Sequence, residues 1–142
     1  MEDPSGVTRE PSGEGVSLVR VAILDVNGNV RIVEGVDTAI INPMLMNKGL
    51  KDELDIPYGS LVSKFGEPNR YDIPHDKTDA EWFVVTPQGT AAIYDYKSGK
   101  NYLGDDGKPA EENTNWHVGA TEETAVLIRK TLDLPASESS SI

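Results

Sequence analysis

Apolar residues first gather in two β-branched runs, 17–26 (SLVRVAILDV) and 30–36 (VRIVEGV), on either side of Asn27-Gly28-Asn29. Asn-Gly between such runs is the strongest short signal for a β-hairpin, because both turn positions favour positive φ. The first run is almost unbroken from Val19 to Leu24, which suits a central strand or one covered on both faces. Tyr58, Leu61, Val62 and Phe65 then recur at i, i+3, i+4 and i+7, which predicts a short helix over 57–65. Asp55 is placed to cap it, Pro57 sits in its first turn, Gly66 can take the left-handed position after it, and Pro68 stops it. Two further runs, 81–86 (EWFVVT) and 90–97 (TAAIYDYK), read as strands. Pro87-Gln88-Gly89 between them suits a three-residue loop with Gly89 left-handed. Residues 115–119 read as a last short strand. Thr121 caps a helix at about 122–133 whose first turn holds Glu122 and Glu123 and whose last holds Arg129 and Lys130, matching the helix dipole. Residues 37–56 are ambiguous: Pro43 and Gly49 interrupt any long helix, and 50–54 suits one helical turn. Stretches 69–80 and 98–114 read as polar loops. Hairpin, short helix, three-stranded meander and C-terminal helix make an α+β fold with a mostly antiparallel sheet.

Composition sets bounds on this picture. A chain of 142 residues is sized for one domain. Residues 1–15 and 135–142 are rich in Pro, Gly, Ser and Glu with little to bury, so they read as disordered tails around a single domain at 16–134. The formal net charge of −11 opposes nucleic-acid backbones and anionic membranes at long range, so neither is an expected partner. The same charge is compatible with docking on a basic protein. The lack of cysteine removes disulfides, thiolate nucleophiles and Cys-ligated zinc, and fits a reducing cytoplasm. No apolar run reaches the ~18 residues of a membrane span, and the acidic N-terminus does not read as a signal peptide. No cofactor motif is present: there is no Walker A, G-x-G-x-x-G or G-x-S-x-G.

Candidate chemistry concentrates in 79–119, which holds both tryptophans, three of the five tyrosines and one of the two histidines. With a three-residue 87–89 loop, residues whose numbers sum to 176 face each other across the hairpin. Glu81 then opposes Asp95 and Asp79 opposes Lys97. Like charges directly opposed are unfavourable, so this pairing asks for a lysine, a shared proton or a metal ion to offset it. A two-residue loop shifts the register by one and removes the pair. Asp95-Tyr96-Lys97 also has the D-x-K spacing of metal-dependent nucleases, in which case Asp79, Glu81, Asp95 and Lys97 form the catalytic set and Glu81 and Asp95 hold the metal. The other reading is a binding surface made of Tyr71, Lys77, Trp82, Tyr94, Tyr96, Lys97, Tyr102, Trp116 and His117. Indole and phenol groups offer rigid area with a hydrogen-bonding tip, and they can stack on a base while a lysine reaches a phosphate. Against this stands the ordinary role of tryptophan as core beneath a helix.

The pieces Phe65-Gly66-Glu67-Pro68, Lys77-Thr78-Asp79-Ala80-Glu81-Trp82, Gly89 to Lys97 (GTAAIYDYK) and Trp116-His117-Val118-Gly119 together resemble a signature of small accessory proteins of tailed phages and large DNA viruses. The resemblance covers roughly residues 60–119. It implies a viral protein in the host cytoplasm that acts on a host component in counter-defence, and it implies no particular target. The helix–FGxP–meander layout is also similar to BamE-like and β-lactamase-inhibitor-like modules, which bind proteins; that is an analogy of fold alone. The expectation is therefore a non-enzymatic binding protein that engages a host protein or sequesters a small nucleotide, without a cofactor. The alternatives are a D-x-K nuclease or phosphodiesterase and a structural virion component, and self-association stays open.

Overall fold

The computed structural model describes residues 17–45, 49–71 and 77–135. The expected tails lie outside these residues apart from Pro135, whose carbonyl accepts a hydrogen bond from Arg129 Nη1 at 2.9 Å. The chain is α+β. Strands β1 (Leu18–Leu24) and β2 (Val30–Asp37) form the first hairpin, followed by helix α1 (Thr38–Leu45), β3 (Leu50–Asp55), α2 (Tyr58–Phe65) and the short β4 (Asn69–Arg70). Strands β5 (Ala80–Thr86) and β6 (Gly89–Tyr94), helix α3 (Lys100–Leu103), β7 (Asn115–Gly119) and α4 (Glu122–Thr131) complete it. All described strands join one sheet in the order β2-β1-β5-β6-β7-β3, with β4 added beside β5. Every pairing is antiparallel except β1 with β5.

The first hairpin forms, but not by a left-handed Asn-Gly pair. Gly28 has φ +85° while Asn27 does not have a positive φ, and the turn runs from Asp25 to Asn29. Asp25 organises it: its Oδ1 accepts the N–H of Asn27 at 2.8 Å and of Asn29 at 3.0 Å. The 57–65 helix is found at Tyr58–Phe65, and Gly66 follows it with φ +83°. Asp55 does not cap that helix. It ends β3, where its Oδ1 accepts from Asn115 Nδ2 at 3.0 Å. The 50–54 segment is likewise strand rather than helix. Asp52 and Leu54 alternate with Glu53 and Asp55 after an irregularity in the pairing at Lys51, and pairing with β7 overrides the helical preference of Leu, Lys and Glu. The last helix is as expected, with Thr121 Oγ1 accepting from Thr124 N at 3.3 Å.

Each sheet face has its own core. On one face lie Leu54, Trp82, Ile93 and Trp116, covered by Leu61 and Phe65 of α2 and by Ala125 and Ile128 of α4. On the other, Val19, Val21, Phe83 and Ala92 are covered by Ile41 of α1. Among the described residues no helix is long and apolar enough to cross a membrane.

Candidate functional site

The β5–β6 turn sets everything that follows. It has two residues, Pro87 and Gln88, with Thr86 paired to Gly89. The Thr86 hydroxyl staples it: Oγ1 donates to Gly89 O at 2.7 Å and accepts from the N–H of Gln88 and of Gly89, both at 3.1 Å. Glu81 therefore faces Tyr94, not Asp95, and Trp82 faces Ile93. The expected Glu81–Asp95 pair does not exist, because those side chains sit on opposite faces of the sheet.

Asp95 points inward. It is 1% exposed, and its Oδ1 accepts the N–H of Asp79 and of Ala80, each at 2.9 Å. Burial raises its pKa above the ordinary carboxylate value, more than the amide hydrogen bonds lower it, and the nearby Asp79 charge adds to the rise. Asp79 is also committed to backbone. Its Oδ2 accepts from Lys100 N at 2.8 Å and its Oδ1 from Asn101 N at 3.0 Å, which fixes the start of α3. Asn101 Nδ2 in turn donates to Tyr71 O at 2.7 Å and Thr78 O at 3.2 Å. The two aspartates of the D-x-K reading thus organise the 95–107 loop. Among the described residues no group of three or more His, Asp or Glu side chains is placed to hold a metal ion.

The tryptophans are core. Trp82 is 2% exposed and Trp116 fully buried; their rings meet edge to face at 5.2 Å between centroids. Each indole N–H is satisfied by backbone, Trp82 by Gly66 O at 2.7 Å and Trp116 by Ile56 O at 3.1 Å. Both leave the expected binding surface for this reason.

The residues alternating with them form a row on the opposite face. Cross-strand pairing sets Glu81 beside Tyr94, Tyr94 beside His117, and His117 beside Glu53, so one line of side chains runs over β5, β6, β7 and β3. Tyr96 extends it just past the end of β6. The rings of Tyr94 and Tyr96 are 6.3 Å apart, Tyr94 and His117 5.8 Å, and Tyr96 and His117 5.2 Å. Tyr96 is 39% exposed, and Tyr94 and His117 are half-buried. At one end Glu81 Oε1 accepts the Tyr71 hydroxyl at 2.9 Å. Burial, with the Glu81 charge and Tyr96 adding to it, raises the pKa of the Tyr94 phenol. Lys97 lies at the margin, its Nζ 5.2 Å from the Tyr96 ring centre and 5.6 Å from that of Tyr102. Its backbone is left-handed at φ +59°, held by a bond from its N–H to Lys77 O at 2.7 Å. Strain of about 1–2 kcal/mol for a non-glycine residue persists only where the surroundings fix it.

Of the sequence-derived set, Tyr71, Glu81, Tyr94, Tyr96, Lys97, Tyr102 and His117 are brought together. Lys77 joins them through its backbone, and Trp82 and Trp116 lie behind the sheet. Glu53 was missed because its segment reads as a helical turn; the Lys51, Glu53, Asp55 alternation was the available signal. No protein-family model matches the chain, nor does any curated protein or solved structure.

Proposed function

We propose that this chain is a non-enzymatic binding module that docks a partner protein on the open part of the sheet, and that it is a viral accessory factor acting on a host component in counter-defence. The viral origin and the counter-defence role rest on the sequence resemblance. The docking role is supported above all by one observation: Glu81, Tyr94, His117 and Glu53 line up across neighbouring strands, the rings of Tyr94, Tyr96 and His117 in contact, on the sheet face where α1 covers Phe83 and Ala92 and Tyr94 packs at the margin of that core. Rings held in this way present rigid area at little entropic cost, which is the composition of interface hot spots. The nuclease reading has less support, because both oxygens of Asp79 and Oδ1 of Asp95 accept backbone amides and the Asp95 side chain is buried.

The test is affinity capture from host lysate with quantitative mass spectrometry, comparing the parent protein with Tyr96→Ala/His117→Ala. Partners enriched by the parent and lost by the double variant, while its melting temperature stays within about 3 °C, support the reading. Equal capture by both proteins would refute it. Val126→Ala, on the exposed side of α4 beyond the sheet's other face, is the control that should keep every partner.

A further inference from the structure

Resting on that docking role, we propose that the occupant of the row is an arginine-bearing, basic segment of the partner protein, its guanidinium groups lying against the rings and pairing with the carboxylates at the two ends. Glu53 and Glu81 close the row, and Asp55 joins the same face two residues beyond Glu53, opposite Asn115. The Lys97 ammonium is already placed on the rings of Tyr96 and Tyr102. Lys97 shows within the molecule what these rings accept, since a cation over a phenol face gains from the ring quadrupole. A phosphate-bearing ligand would instead meet carboxylates at both ends. Guanidinium fits better than ammonium because it is planar, stacks on aromatic faces and grips a carboxylate with two parallel N–H bonds. Association would also be steered, since the formal charge of the chain is −11. Glu81 and Glu53 are three strand spacings apart, about 14 Å. Two arginines four residues apart in an extended segment span that distance, at about 3.3 Å per residue.

The experiment is a set of 15N–1H correlation titrations of the full chain at low salt with three probes: the peptide acetyl-GRGSGRG-amide, its counterpart with glutamate for arginine, and adenosine monophosphate. The arginine peptide is expected to give saturable shifts confined to the amides of Glu53, Glu81, Tyr94, Tyr96 and His117. Glu53→Gln/Glu81→Gln, whose unchanged spectrum elsewhere verifies folding, should weaken it at least tenfold. The glutamate peptide and the nucleotide should leave the row unmoved. Shifts of the row by the nucleotide or the glutamate peptide, but not by the arginine peptide, overturn the basic occupant and leave the docking face standing. Arginine-peptide binding that the double variant does not weaken, or that maps to Glu122 and Glu123 on α4, overturns the proposal as general charge attraction. Silence of the row towards all three probes counts against the basic occupant and the docking face together.

Discussion

At the Asp95 carboxyl, burial and hydrogen bonding pull in opposite directions. Desolvation raises the folded-state pKa, so the native protein holds the proton more tightly than the unfolded chain does. The stability this gives is complete below the unfolded value of about 3.9 and is lost as pH rises through the raised folded value. Asp95→Asn keeps a carbonyl oxygen for the amides of Asp79 and Ala80 and removes the titration. Urea denaturation at pH 4 and pH 7 should therefore find the Asn variant close to the parent at the lower pH and the more stable of the two at the higher. Asp95→Ala removes the acceptor of the buried Ala80 amide and the part-buried Asp79 amide and should lose about 2–4 kcal/mol at both. A parent that gains on the Asn variant as pH rises would mean the carboxylate is stabilised in its charged form. The residue type was visible in the sequence, but its orientation was not, because one residue of loop length decides which face it takes.

Loop elements show the same limit on a larger scale. Gly28 sits in a turn that demands positive φ, whereas the 98–114 stretch reads as a polar loop free to relax around Gly107. In the folded chain that stretch is built: Leu103 N donates to Gly99 O at 3.0 Å, and Lys108 N to Ser98 O at 2.9 Å. A Cβ on Gly107 would lie 2.3 Å from Gly99 O and 2.6 Å from Lys100 Cα, both backbone atoms. A Cβ on Gly28 meets nothing within 4 Å. Gly107→Ala should cost about 3 kcal/mol through the clash, or displace α3, and Gly28→Ala about 1 kcal/mol through its dihedral alone. Equal midpoints in urea would show that the loop yields. What periodicity encodes was legible: the first hairpin, α2, the meander and α4 follow from apolar spacing, and α4 also from its Thr121 cap. What depends on tertiary partners was not. Thr86 sets the β5–β6 register through its hydroxyl, β3 is a strand because β7 pairs with it, and the Asn69 side chain bridges β1 and β5, accepting from Arg20 N at 2.8 Å and donating to Arg20 O at 2.9 Å and to Glu81 O at 3.3 Å.

Across the whole molecule the two sheet faces divide the labour, and α4 ties them together. Read as sequence, Arg129 complements a helix dipole. In the fold it grips edge strand β3: Nε donates to Asp52 Oδ2 at 2.5 Å, Nη2 to Asp52 Oδ1 at 3.1 Å, and Nη2 also to Glu53 O at 2.8 Å. Glu53 is the residue of β3 that lies beside His117 on the opposite face, so a helix behind the sheet fixes the outer end of the aromatic row. The pair is largely sheltered, with side chains 14% and 6% exposed. Two opposing effects apply to such a pair. Its net worth against apolar replacements is small, yet losing one partner strands a buried charge. Arg129→Met should therefore cost about 3–5 kcal/mol in urea denaturation, and adding Asp52→Leu should restore most of that loss. The two variants separate stability from positioning. In the double variant the stability returns, but the bond to Glu53 O does not, so the amides of Glu53 and His117 should stay displaced from their parent positions and arginine-peptide binding should stay weakened. A double variant that regains both stability and peptide affinity would show that β7 alone holds Glu53 in the row.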